Sequence, residues 1–281
     1  MEQKTFALKG NIIYTKERTR FEVMEQGWLV CEEGRVRDVY SVLPEELKGI
    51  PVEDMGDRLI IPGLTDLHIH APQYTFRSLG MDMELLEWLE TNTFPEESKY
   101  KDTEYAQKAY GMFAEQLKKS ATVRACIFGT IHNEATLILM DLLEEAGLHT
   151  MVGKVNMDRN SPDYLCEPSA EASAQATREW LKAVADRKYK HTKPILTPRF
   201  TPSCTDELME LLKEIQTETH LPMQSHLSEN PGEIAWVKEL CPWSEFYGDA
   251  YDKFGLFGGD CPTVMAHCVY SGKEEMALMK E

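Results

Sequence analysis

An apolar run ending in two histidines one residue apart constrains this chain more than any other feature. It reads Ile60-Ile61-Pro62-Gly63-Leu64-Thr65-Asp66-Leu67-His68-Ile69-His70. Side chains alternate along a β-strand, so His68 and His70 point one way while Leu67 and Ile69 point the other, into packing. Two neutral imidazoles aimed at one place are half of a transition-metal site. A His-x-His pair can also be a hydrogen-bonded core element. The apolar lead-in, and Gln73 just beyond it, favour metal.

From about residue 59 the pattern alternates between strand and helix. Strands are expected at 59–70, 122–131, 149–157, 194–200, 221–227 and 263–269. Helices are expected at 102–119, 133–146, 170–187 and 205–217, with Asp102 and Thr205 as N-caps for two of them. Such alternation means a parallel sheet with helices outside it. An open doubly wound sheet and a closed barrel both fit. The His68/His70 pair, Arg199, His226 and His267 decide between them, because each falls at the C-terminal end of a different strand. That is where a TIM-type barrel gathers its catalytic groups. The Gly-x-Gly-x-x-Gly turn of an open dinucleotide-binding sheet is absent. The expected fold is therefore α/β, a TIM-type (β/α)8 barrel over 59–281. Part of a small β-sandwich domain precedes it over 1–58, with Glu32-Glu33-Gly34 as a hairpin turn.

Only about six barrel strands can be counted where this fold needs about eight. Ser271-Gly272-Lys273-Glu274 looks like a capping box, opening a helix whose apolar face is Met276, Leu278 and Met279. No stop signal follows before Glu281. Both points lead to the expectation of a fragment of a longer barrel, with unpaired sheet edges and apolar strand faces left in water.

The net charge of −17 argues against nucleic acid or an anionic membrane surface as a partner. Seven cysteines without a Cys-x-x-Cys pair read as reduced thiols of a cytoplasmic protein. The start, Met1-Glu2-Gln3-Lys4-Thr5, carries no signal-peptide pattern, and no apolar run approaches membrane-spanning length.

Several further residues can carry chemistry. His226, closing Leu221-Pro222-Met223-Gln224-Ser225-His226, offers a third imidazole from a neighbouring strand end. Glu229, three residues on, is placed for proton transfer beside an activated water. His267 is a further ligand or a hydrogen-bond partner of that water. Arg199, followed by Phe200, can read a carbonyl and pack a flat ring, and Gln73 can donate and accept at a heterocycle edge. His132, His149, His191 and His220 are left outside the site, and Trp88, Phe94 and Tyr100 are assigned to core packing.

The stretch Pro62-Gly63-Leu64-Thr65-Asp66-Leu67-His68-Ile69-His70 resembles the first metal motif of the amidohydrolase superfamily. The likeness narrows to the guanine deaminases at His70-Ala71-Pro72-Gln73-Tyr74, Leu85-Leu86-Glu87-Trp88-Leu89, Thr93-Phe94-Pro95 and Val152-Gly153-Lys154-Val155. It continues through Thr197-Pro198-Arg199-Phe200, Gln224-Ser225-His226-Leu227-Ser228-Glu229-Asn230 and Val264-Met265-Ala266-His267. Ala121-Thr122-Val123-Arg124 departs from the Thr-rich form expected there. The Pro-Cys-x-x-Cys signature of the cytidine-type zinc deaminases is missing.

The resemblance implies that His68, His70 and His226 ligate one Zn2+ per subunit, iron being the alternative. It implies that His267 positions the attacking water and that Glu229 is the acid/base. Gln73, Arg199 and Phe200 then line a purine pocket that His70, His226 and Glu229 also border. The implied reaction is guanine plus water to xanthine plus ammonia, in a homodimer. A further metal-ligating aspartate of the family's eighth strand falls beyond Glu281. The competing readings are an aminohydrolase or chlorohydrolase of the same superfamily acting on another heterocycle, and a catalytically silent fragment.

Overall fold

The computed structural model describes residues 5–280. Met1–Lys4, searched above for a leader, and Glu281, past which the last helix met no stop, lie outside the described residues. The chain divides into two compact units, Met1–Gly63 and Leu64–Glu281.

The first unit is one four-stranded sheet of β1 (Thr5–Glu17), β2 (Arg20–Glu32), β3 (Arg35–Tyr40) and β4 (Val52–Ile60), in the order β3-β2-β1-β4. Glu33 and Gly34 both have positive φ (50° and 78°), the two-residue turn whose twist matches an antiparallel pair. The expected strand over 59–70 is corrected here. Leu59 and Ile60 pair with Asn11 and Ile12 in the small sheet, and Pro62, which has no N–H to give, lies in the break that follows. The division accordingly falls after Gly63, where 58 was expected.

In the second unit the strands are parallel. They comprise β5 (Leu64–His70), β6 (Thr122–Phe128), β7 (His149–Gly153), β8 (Val155–Asn156), β9 (Thr192–Pro194), β10 (Thr197–Pro198), β11 (Met223–Leu227) and β12 (Thr263–His267). β5-β6-β7-β9 form one sheet, β10 pairs with β8 and β11 with β12, and a Leu196–Met223 bridge continues the order. No ladder joins β12 back to β5 among the described residues. The strands expected at 149–157 and 194–200 are each broken in two, the first at Lys154 and the second just after Pro194, which has no N–H to give. Gly153 lets β7 and β10 approach: a Cβ there would lie 1.7 Å from Thr197 Oγ1.

The helices are α1 (Leu85–Trp88), α2 (Phe94–Ser98), α3 (Thr103–Lys118), α4 (Asn133–Ala146), α5 (Ala170–Arg187), α6 (Asp206–Thr219), α7 (Pro231–Leu240), α8 (Asp249–Asp252) and α9 (Lys273–Lys280). None among the described residues is long and apolar enough to cross a membrane. Asp102 caps α3 by accepting from Glu104 N and Tyr105 N, and Thr205 caps α6 by accepting from Leu208 N. The capping box expected at Ser271 is not formed, because the buried Ser271 Oγ has no partner among the described residues. The box instead opens α7, between Asn230 and Glu233. The expected apolar face of α9 is also corrected. Met276 and Met279 are exposed, while Glu275 turns inward to accept from Ser228 Oγ and Gly248 N.

Among the described residues three apolar clusters fill the second unit. One contains Tyr100, Tyr110, Phe113, Leu139, Met140 and Trp180, another Leu208, Leu212, Ile215, Met223 and Tyr251, and the third, beside the strand ends, Phe94, Phe128 and Phe200. Between β7 and β8 the chain buries Lys154, which pairs with Glu167, and Glu167 also accepts from Met157 N and Ser173 Oγ. Burial lowers the Lys154 ammonium from its ordinary range while Glu167 opposes that shift. Replacing Lys154 by methionine strands the carboxylate, so we expect a loss of about 3–5 kcal/mol in urea unfolding. Glu167→Gln in the Lys154→Met background should recover part of it.

Candidate active site

β5 delivers the first two histidines through an irregular register. Asp66 pairs with Ala125 and Ile69 with Ile127, so β5 carries an extra residue between them. A bulge of this kind re-aims side chains. Ile69 packs against the core as expected, but Leu67 is 55 % exposed, which corrects its assignment to the interior. β5 is an edge strand here, and the bulge removes Leu67 from the regular alternation. His68 and His70 nevertheless converge, with ring centroids 4.9 Å apart, and His70 stacks on Phe128 at 4.5 Å.

His226 reaches the same place from β11. Its Nδ1 donates to the Arg199 carbonyl at 2.6 Å, which leaves Nε2 free of the proton and 2.9 Å from His70 Nε2. Tyr251 steadies this strand end by donating to the His226 carbonyl at 2.8 Å. His267 closes β12 in a three-residue turn. Cys268 N donates to the Ala266 carbonyl at 3.1 Å, with φ of 74° at His267 and 54° at Cys268. His267 is the most exposed of the four, with 27 % of its side chain in solvent.

Ring nitrogens of His68, His226 and His267 lie within 4.8 Å of one another. The structure thus gathers all four expected histidines, but the mutually close set holds His267 in place of His70, whose Nε2 lies 2.9 Å from His226 Nε2. Burial holds all four imidazoles below their ordinary range, His68 at about 4, where His267 and Arg199 add to the effect. They are neutral at pH 7, and their lone pairs are available. Among the described residues the buried Nδ1 atoms of His68 and His70 have no hydrogen-bond partner. A cluster of neutral imidazoles fits a borderline transition metal and not calcium or magnesium, which take oxygen ligands.

Glu229 is brought to His267, with Oε2 to Nε2 at 3.3 Å. Ser228, at φ 49°, turns the chain after β11, and Glu233 holds the turn by accepting from Glu229 N and Asn230 N. Burial pushes the Glu229 carboxyl up to about 7; Glu233 adds to the shift and Arg199 opposes it.

Arg199 is 2 % exposed. Its guanidinium lies over Phe94 at 5.2 Å, and Nη1 donates to Glu97 at 2.6 Å. Phe200 faces Trp236 edge-on and borders a cavity of about 430 Å³ together with Phe94, Leu86 and Leu89, a size suited to a small molecule. A smaller void touches Arg199, Phe200 and His226. Gln73 sits half-buried in the 3-10 turn Ala71–Phe76 after His70, and no hydrogen bond engages its amide among the described residues.

Of the residues assigned to the core, Tyr100 and Phe94 are both buried in apolar clusters, and Phe94 also lines the cavity. Phe128, Glu97 and Tyr251 were missed. Phe128 closes a strand next to β5 and had that positional signal. Glu97 and Tyr251 had none.

Residues 59–281 match the amidohydrolase family. A guanine deaminase of Dictyostelium discoideum is 38% identical over 96% of this chain and 63% of its own length. That of Escherichia coli K12 is 35% identical over 92% of this chain and 58% of its own. Among solved structures, a guanine deaminase from C. acetobutylicum, with guanine bound in its active site, superposes with a TM-score of 0.93. It is 47% identical and covers 98% of this chain and 65% of its own. The chain therefore spans about three fifths of the length of these relatives.

Proposed function

The chain belongs to the amidohydrolase family, and from that premise we propose that the protein hydrolyses guanine to xanthine and ammonia. The observation that carries this reading is the meeting of the imidazole cluster, Glu229 and a buried Arg199–Phe200 pair at the same strand ends. The guanine-bound relative supports the choice of substrate.

His68, His70 and His226 would hold a divalent cation, zinc by choice. When bound, such an ion lowers the pKa of a water toward neutrality and so supplies a nucleophile at working pH. His267 orients that water, and Glu229 accepts one of its protons. Arg199 donates to the 6-carbonyl oxygen, Phe200 lies along the ring, and the Gln73 amide meets its edge. His70, His226 and Glu229 border the ring at the reacting carbon. The water oxygen adds at C2, and Glu229 passes its proton to N3. The hydroxyl proton then moves, through Glu229, to the amine. The C2–N bond breaks, ammonia leaves, and the 2-oxo group of xanthine remains.

The same reading carries a homodimer in the cytoplasm, with no nucleic acid or membrane partner. Light scattering of the purified chain checks the dimer. The substrate is tested by ammonia release with guanine, adenine and cytosine in turn, in the presence of zinc. We expect turnover of guanine alone. Release from cytosine or adenine at a comparable rate, or from none of the three, would overturn the assignment.

A further inference from the structure

Helix α2 buries two consecutive carboxylates, Glu96 and Glu97. Successive residues on a helix point about 100° apart, so neighbours serve different elements. Glu96 accepts from Thr75 Oγ1 at 2.7 Å, from Lys99 Nζ at 2.5 Å and from the Tyr105 hydroxyl. Thr75 lies two residues beyond Gln73, in the same short turn. Glu97, 1 % exposed, accepts from Arg199 Nη1 across 102 residues of sequence.

A buried ion pair is weak evidence for stability, because desolvating two charges offsets much of their attraction. The geometry of this pair is more informative. Among the described residues only Oε2 of Glu97 is engaged, and the buried Oε1 has no partner. The contact is single, so the other guanidinium N–H groups are not taken by Glu97. Phe94, three residues before Glu97, covers the guanidinium face at 5.2 Å. The plane and direction of the guanidinium are thus set by the segment Phe94–Glu97.

We propose that Glu97 is a positioning residue: it fixes the Arg199 guanidinium so that its remaining donors meet the carbonyl oxygen of the bound purine. Glu97 does not touch substrate. It acts through Arg199, while Glu96 anchors the turn that carries Gln73. The contact with the purine oxygen rests on guanine being the substrate, whereas the fixing of Arg199 by Glu97 does not.

The test is a double-mutant cycle on the full chain, with E97Q, R199Q and E97Q/R199Q assayed on guanine. E97Q should raise KM roughly 10–100-fold, the cost of misplacing a group by about 1 Å, with a much smaller change in kcat. In the R199Q background, adding E97Q should leave KM unchanged. Additive effects on KM, or a loss confined to kcat, overturn the proposal. The double variant has neither buried charge, so it remains assayable if E97Q does not fold. E97D keeps the charge but withdraws the contact, and stands in for E97Q in that event.

A second measurement needs no turnover. Nitrogen-15 NMR of the Arg199 guanidinium should show separated Nη signals from restricted rotation, merging in E97D. Merged signals in the unaltered protein, or separated ones in the variant, refute the positioning role. If the unaltered protein leaves guanine intact, the functional reading falls, and the NMR comparison still decides the role of Glu97.

Discussion

Glutamine in place of Glu229 is expected to lower kcat on guanine by about 10²–10⁴-fold, the usual worth of a positioned acid/base, with KM little changed. Glutamine keeps the size and one acceptor but cannot shuttle a proton. The expectation depends on Glu229 exchanging protons near neutrality, and its surroundings point that way. Burial and the Glu233 carboxylate push the group up to about 7 against the opposing Arg199. The sign follows directly: the carboxyl is protonated below that value and ionised above it. Infrared spectra of the chelated protein should therefore show a neutral-carboxyl band at about pH 6 that fades by about pH 8. The band should be missing from Glu229→Gln. A variant with full activity, or a band that persists in it, would remove Glu229 from the role.

Loss of the cation should cost more. Lowering the pKa of water from about 15.7 to about 7 raises the ionised fraction at neutrality by roughly eight orders of magnitude. Even with a weaker nucleophile as the result, we expect chelation to reduce turnover by at least about 10⁴-fold. Readdition of zinc should restore it. His226→Asn should have the same effect without chelator, because it removes both Nε2 and the Nδ1 donor that Arg199 holds at 2.6 Å. Elemental analysis should find about one cation per chain, lost in His226→Asn. Binding to the native state alone stabilises it by about 2.7 kcal/mol at about 100 times Kd, so melting should move upward with added zinc and stay put in the variant. A protein that binds no transition metal and melts unchanged would contradict the whole hydrolytic scheme.

Much of this was legible before any coordinates. Asp102 and Thr205 announce their helices because a capping side chain acts on amides two or three residues away. The four histidines could be gathered because a parallel strand–helix repeat puts every strand end on one side. The misreadings have equally local causes. At Ser271 the residue types of a capping box are present, but the hydroxyl finds no partner among the described residues. Leu67 follows the alternation rule only if the strand is regular, and pairing with β6 introduces an extra residue at that point. The sheet boundary after Gly63 depends on β4 pairing with β1, about fifty residues earlier in the chain. Glu97 was invisible because its partner lies 102 residues away, and no periodicity records a contact of that range.

The turn at the end of β12 has a bearing on redesign. His267 and Cys268 both occupy a backbone region that L-residues with branched side chains avoid, at a cost of order 1–3 kcal/mol per residue. A mutant library aimed at new ring systems should therefore leave His267, which orients the water, unchanged, and admit only asparagine and glycine at Cys268. Diversity belongs at Phe200 and Trp236, whose main chains carry no such restriction.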